Sequence, residues 1–299
     1  SIFDLILLKR LEEYDSLFKI NRLSNVMGAE IWGLDLSKID DTNIFQIIKK
    51  TFFANHLLVI KEQTLSPDQL LSFSKTFGEL DIHVKDEFHH KNHPEILVLS
   101  NKLDSKKKPV GFEDAGRYWH TDMSYTKIPP MASILYALEI PTQGGDTLFC
   151  NMQNAYDNLT QAQKSYFENL KGIHSYEASF TGLTSANKYR TQLTEKQKNS
   201  LNEVEHPIIR THNFSNQKSI YANPGFTKKI KGLDIEKSNK ILSEIFEHSL
   251  NEKNIFVHRW NKNDLVMWDN SNLLHHATKY NKNEIRHMLR TTIKGTVPK

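Results

Sequence analysis

The sequence contains one cysteine, Cys150, among 299 residues, so an internal disulfide and a Cys₂ or Cys₄ metal site are both excluded. That usage fits a reducing compartment. No apolar run approaches the ~18–20 residues of a membrane-spanning helix. The apolar opening stretch, residues 1–9, is interrupted by Asp4 and has no basic segment before it, so it reads as part of the fold and not as a secretion signal. Excess charge is also scarce. The 39 Lys and Arg against 35 Asp and Glu leave a formal net charge of +4, too little for the concentrated basic face that nucleic-acid binding requires. No Gly-, Ser- or Pro-rich linker divides the chain and no internal repeat is visible, so a single domain over 1–299 is expected. These absences describe a soluble, cytoplasmic globular protein with no nucleic-acid or membrane partner.

What is present is an ordinary globular composition, with 38% hydrophobic residues and 10% aromatics, at a length that supports a sizeable core. Periodicity predicts a helix over 41–54, with Ile44, Ile47, Ile48 and Phe52 on one face, and a buried strand from His56 to Ile60. Ser66-Pro67 is a helix start, the serine as cap and the proline at the first helical position. Residues 83–117 read as a polar, His-rich loop around one strand from Ile96 to Leu99. Residues 153–170 read as helical. Strand signals return at His206 to Thr211, Ser219 to Ala222, Leu265 to Trp268 and His287 to Lys294, with a helix near 235–250. The mixture predicts a mixed α/β chain with a β core and helices packed outside it.

The 14 histidines are the first sign of chemistry. In Trp119-His120-Thr121-Asp122, a strand would turn His120 and Asp122 to one face, where an imidazole and a carboxylate suit a divalent transition metal. A third ligand is available in Leu274-His275-His276. Two histidines and one carboxylate form the facial triad of non-haem Fe(II) oxygenases. Neighbours in a strand face opposite ways, so one of His275 and His276 is the ligand, and spacing alone leaves the choice open. In Arg286-His287-Met288-Leu289-Arg290 two arginines share a strand face, about 13 Å apart at ~3.3 Å per residue, and can each fork onto an acidic group. Gly144-Gly145-Asp146-Thr147 is a turn leading into a strand, with a hydroxyl at Thr147 that can donate to a carboxylate. His89, His90 and His93 read as solvated loop histidines and Trp268 as core.

Together, Trp119-His120-Thr121-Asp122, Gly144-Gly145-Asp146-Thr147-Leu148, Trp268-Asp269-Asn270, His275 and Arg286 to Arg290 resemble the taurine dioxygenase (TauD/TfdA) family of Fe(II)- and 2-oxoglutarate-dependent dioxygenases. Thr147 lies 27 residues after His120 and Arg286 lies 11 after His275. The likeness continues through Gly28-Ala29-Glu30, Gly78-Glu79-Leu80, His206 to His212 and Asn223-Pro224-Gly225-Phe226, from about residue 20 to 297.

The resemblance implies a double-stranded β-helix, a cupin-like jelly roll, with flanking helices. It implies that His120, Asp122 and His275 are catalytic and bind iron, the match of Asp269-Asn270 with the histidine picking His275. Thr147 and Arg286 would hold 2-oxoglutarate, and His83, Ser179, Phe180, Phe226 and Arg290 would line the substrate pocket. Fe(II), 2-oxoglutarate and O₂ would drive oxidation of a C–H bond of a small acid, with release of succinate and CO₂. Two pocket positions depart from taurine dioxygenase itself: Asp86 stands for a tyrosine and Gly116 for an asparagine. Taurine or another sulfonate, an aryloxy or alkyl acid, and an amino-acid-derived biosynthetic intermediate are the substrate classes implied. Related enzymes form dimers or tetramers, so a homo-oligomer is the expectation by analogy. Two rivals are a zinc hydrolase, which would not need Thr147 or the paired arginines, and a non-catalytic homologue that binds a small acid.

Overall fold

The structure is a computed structural model and describes residues 17–177 and 192–299. Sixteen strands run through it: β1 Lys19–Arg22, β2 Ala29–Trp32, β3 Leu57–Ile60, β4 His89–His90, β5 His93–Ser100, β6 Ala132–Glu139, β7 Thr147–Asn151, β8 Lys171–His174, β9 Val204–Pro207, β10 Ile209–Thr211, β11 Lys218–Ile220, β12 Thr227–Ile230, β13 Ile255–His258, β14 Leu265–Asp269, β15 Leu273–Ala277 and β16 His287–Ile293. The main sheet has eight strands in the order β1-β2-β3-β14-β6-β16-β5-β4, antiparallel except for the β2–β3 pair. A second sheet, β13-β7-β15, is antiparallel. A three-stranded sheet β12-β8-β9 and the pair β10-β11 complete the set.

The main sheet is buried on both faces, and period-two alternation assigns each face its residues. Ile134 and Tyr136 of β6, Leu265 and Met267 of β14, and Leu289 of β16 pack with Ile48, Phe52 and Leu70 from two helices. The intervening Leu135, Ala137, Val266, Trp268 and Met288 pack instead with Phe149 and Leu273 of the second sheet. The helices are α1, Thr42–Asn55, and α2, Pro67–Lys75. Asp41 caps α1 by accepting from the Asn43 amide at 2.8 Å. A reciprocal Ser66–Gln69 capping box opens α2 behind Pro67. On the far side of the second sheet, Cys150 and Leu274 face Leu242, Ile245 and Phe246 of a long helix, Ile235–Ser249. The inter-sheet space therefore receives alternate residues of β7, β15 and β16, and the site lies in it.

Local departures from expectation have local causes. The stretch 153–170 is two helices, Met152–Asp157 and Gln161–Phe167, because Thr160 starts a new capping box. The strand over His206 to Thr211 is split at Ile208, whose amide turns to the Leu170 carbonyl. Residues 144–145, both at positive φ, carry the chain from the main sheet to the second one and do not close a hairpin between paired neighbours. Among the described residues no helix is long and apolar enough to cross a membrane.

Candidate active site

His120 and Asp122 do not sit in a regular strand. His120 makes an isolated antiparallel bridge to His275, with both N–H···O bonds present at 3.1 and 2.8 Å, and the chain then turns, Met123 taking a left-handed φ of 52°. The bridge and the turn, not pleat alternation, bring the two side chains together. Ser124 and Thr126 hold the turn in place by offering their carbonyls to His206 Nε2 at 2.8 and 2.9 Å. His275 does follow the pleat. In β15, Leu273 and His275 face inward, while Leu274 packs outward and His276 stands edge-on to Trp119.

The ligand atoms of His120, Asp122 and His275 lie within 4.8 Å of one another, and among the described residues this is the group of three that can hold a metal ion. Nε2 of each histidine is 3.4 Å from Asp122 Oδ1. His120 Nδ1 faces the Tyr118 carbonyl at 2.8 Å, which puts its proton on Nδ1 and its lone pair on Nε2. Burial pushes His120 down to about 4, with His275 adding to the effect against Asp122 and the Tyr118 carbonyl. Burial would raise the Asp122 carboxyl, but Arg290, 3.4 Å from Oδ1, and the two histidines hold it well below the usual carboxylate range. Two imidazoles and a carboxylate are thus presented together, the donor set a divalent iron takes.

Two cavities meet at this cluster. One is lined by Leu99, Leu135, Thr147, Trp268, His275, Ala277 and Arg286. Arg286 is 8% exposed and its Nε has no partner, and burial pushes its pKa down to about 10. Its backbone is pinned by Asn101 Oδ1 at 2.9 Å. Thr147 Oγ1 accepts from Trp260 Nε1 at 2.9 Å, which leaves the threonine proton to be donated into the cavity. The second cavity is lined by His83, Phe112, Tyr118, Asp122, Met123, Tyr125, Tyr176 and Phe226. Ala115, Gly116, His120 and Arg290 line both.

His83, Phe226 and Arg290, read from the sequence as substrate-pocket residues, line the second cavity, while Ser179 and Phe180 lie outside the described residues. Phe112, Tyr118, Tyr125 and Tyr176 were not anticipated. Nothing local marks them except that Tyr118 and Tyr125 flank the His-x-Asp motif. Trp268, read as core, is 1% exposed and also forms cavity wall. His89 Nε2 is held by the His83 carbonyl, and His90 and His93 stack on each other.

Residues 19–292 match the sequence model of the taurine catabolism dioxygenase TauD, TfdA family. The chain belongs to this family. An alpha-ketoglutarate-dependent 2,4-dichlorophenoxyacetate dioxygenase of Cupriavidus pinatubonensis is 31% identical over 282 residues, 91% of this chain and 96% of that protein. An alpha-ketoglutarate-dependent sulfate ester dioxygenase of Pseudomonas putida is 26% identical, covering 93% and 90%. The crystal structure of a taurine dioxygenase from Burkholderia xenovorans superposes with a TM-score of 0.77 at 27% identity, covering 94% of this chain and 91% of that one. That of AAD-2 in complex with Mn(II) and N-oxalylglycine gives 0.75 at 26%, covering 94% and 98%.

Proposed function

We propose that this TauD/TfdA-family dioxygenase hydroxylates a small acid with an apolar body. His120, Asp122 and His275 would hold Fe(II), which with 2-oxoglutarate and O₂ would supply the oxidative chemistry at a substrate C–H, with release of succinate and CO₂. Arg286 and the Thr147 hydroxyl clasp the far carboxylate of 2-oxoglutarate. Arg290 and His83 hold the acid group of the substrate. The main sheet and β13-β7-β15 are read as the two faces of a double-stranded β-helix, a jelly roll, since the chain crosses between them from β6 to β7, from β13 to β14, from β14 to β15 and from β15 to β16. The whole is read as one catalytic domain.

The observation that carries the substrate reading is the lining of the second cavity. His83 Nδ1 accepts from the Lys85 amide at 3.1 Å, so its Nε2 carries the proton, and burial together with Arg290 keeps the ring neutral down to about 3. The anion thus meets a guanidinium and an imidazole N–H. The rest of the described wall is aromatic or apolar. Its one carboxylate, Asp122, is already engaged by Arg290, Ser133 and the two histidines. Among the described residues no further carboxylate is there to pair with an ammonium group, which disfavours an aminosulfonate such as taurine and favours aryloxy or alkyl acids. The test is succinate release and O₂ uptake by the Fe(II)-loaded enzyme with aryloxyacetates, alkyl sulfates, alkanesulfonates and taurine. Turnover of an aryloxy or alkyl acid above taurine, lost in Arg290→Ala, is expected. Preferred turnover of taurine would overturn the reading.

A further inference from the structure

Asp122 offers two oxygens, and its surroundings treat them differently. Oδ1 lies 3.4 Å from Nε2 of both His120 and His275 and from Nη1 of Arg290. Oδ2 accepts a 2.6 Å hydrogen bond from Ser133 Oγ. A serine hydroxyl has one proton, and here it is spent on the carboxylate, so the serine oxygen is left as an acceptor. It receives Asn270 Nδ2 at 2.9 Å. The other end of that amide, Oδ1, accepts from Trp268 Nε1 at 3.0 Å. An indole nitrogen can only donate, so the amide cannot turn over without setting its NH₂ against an N–H. Thr121 Oγ1 donates to the Asn270 carbonyl at 2.8 Å, and the Asn270 amide is held by the Met131 carbonyl at 2.9 Å. The direction of every bond in the chain Trp268–Asn270–Ser133–Asp122 is therefore fixed from its far end.

The platform is rigid. Ser133 is fully buried in β6, paired across to Trp268 of β14 on one side and Thr292 of β16 on the other. Trp268, Asn270 and Asp122 are each no more than 2% exposed.

We propose that Ser133 is a positioning residue for the metal. It reserves Oδ2 of Asp122, so that the carboxylate presents Oδ1 alone, between the two imidazoles, and binds through one oxygen. The inference rests on the reading of Asp122 as a metal ligand. It also accounts for Trp268-Asp269-Asn270, whose tryptophan and asparagine serve as the outer links of the chain. Partners that orient a ligand from behind commonly cost about 10- to 100-fold in metal affinity when removed.

The experiment is titration of the metal-free protein with Co(II), followed by calorimetry and by the visible d–d bands, with thermal unfolding recorded for each variant. Ser133→Ala is expected to weaken Co(II) binding by about 10- to 100-fold and to change the band pattern as the freed carboxylate swings. Ser133→Thr, which keeps the hydroxyl on a strand, is expected to restore both. Trp268→Phe leaves Ser133 in place but frees the Asn270 amide to turn, and is expected to give a smaller loss of the same kind. Unchanged Co(II) affinity and spectrum in Ser133→Ala overturns the proposal, and so does an unchanged Trp268→Phe should Ser133→Ala not fold. Asp122→Ala separates the two levels. If it too leaves Co(II) affinity intact, the metal assignment itself is wrong. If it abolishes binding while Ser133→Ala leaves the Co(II) affinity and spectrum unchanged, only the positioning role fails.

Discussion

Trp260→Phe is the substitution that asks most directly whether the Thr147 cavity holds 2-oxoglutarate. The Trp260 indole donates to Thr147 Oγ1 at 2.9 Å, and its nitrogen has no lone pair with which to accept. The threonine proton is thereby turned away from Trp260 and towards the cavity that Arg286 also lines. Phenylalanine keeps an aromatic ring in this buried cluster but removes the donor, so the hydroxyl is free to rotate. A neutral hydrogen bond contributes about 0.5–1.5 kcal/mol net, which is roughly 2- to 12-fold in affinity. On the reading proposed above, Thr147→Val removes the donor to the cosubstrate itself. A hydrogen bond to a charged carboxylate contributes about 1.5–3 kcal/mol, so the expected loss there is roughly 12- to 150-fold. Calorimetric titration of the Mn(II)-loaded protein with 2-oxoglutarate in each background measures both. Because Trp260 acts only through Thr147, Trp260→Phe should add nothing once Thr147 is valine. An unchanged Kd in the single variant, or an equal loss in both backgrounds, would refute the reasoning.

Two further outcomes follow from the packing around the cluster. Gly116 has φ +72°, and a Cβ there would lie 2.7 Å from His120 Cε1, so Gly116→Ala should destabilise the fold by about 1–3 kcal/mol and weaken Co(II) binding. Parent-like thermal unfolding and Co(II) affinity would show that His120 is not seated against that backbone. His206 and His174 are buried beside the turn that carries Asp122. Burial pushes His206 down to about 4, despite the Ser124 and Thr126 carbonyls, and His174 well below its ordinary value. Unfolded, both titrate near 6.5, so below that pH the unfolded chain binds more protons than the folded one and stability rises with pH. The metal-free protein should therefore hold full stability above about pH 6.5 and lose it progressively as pH falls towards about 4. A melting temperature that stays level across that window would contradict the buried, neutral state of both rings.

Much of this was legible in the sequence because it is local. The His-x-Asp pair, the Gly-Gly turn ahead of Thr147 and the arginines four apart each announce themselves within a few residues, and the Ser66-Pro67 helix start is cap chemistry alone. Alternation along β15 already required that one of His275 and His276 face inward, and outward packing of Leu274 settles which. The left-handed turn at Met123 was not legible, since methionine carries no preference for positive φ. Nor were the residues that orient the site from behind. Trp260 meets Thr147 across 113 positions, and Asn270 meets Ser133 across 137. Such bonds depend on which strands pair, and a serine or tryptophan in a strand looks the same whether or not it points at a ligand.

Arg290 shows how the two cavities work as one site on the reading proposed above. Its Nη1 stands 3.4 Å from Asp122 Oδ1, beyond the ~2.7–2.9 Å of a committed charge-assisted bond, and its Nε has no acceptor. The guanidinium is therefore near Asp122 without being consumed by it. A divalent metal held by His120, Asp122 and His275 would draw on the same carboxylate and neutralise its charge. That leaves a buried cation, 7% exposed, facing a cavity whose described walls offer no other anion. The group best suited to that vacancy is the acid of the substrate. Its anchorage at Arg290 holds the apolar body against Phe226 and Tyr125, in the space beside His120 that Gly116 keeps clear. The preference for an acid and the placement of its C–H bonds next to the metal are thus two consequences of one arginine.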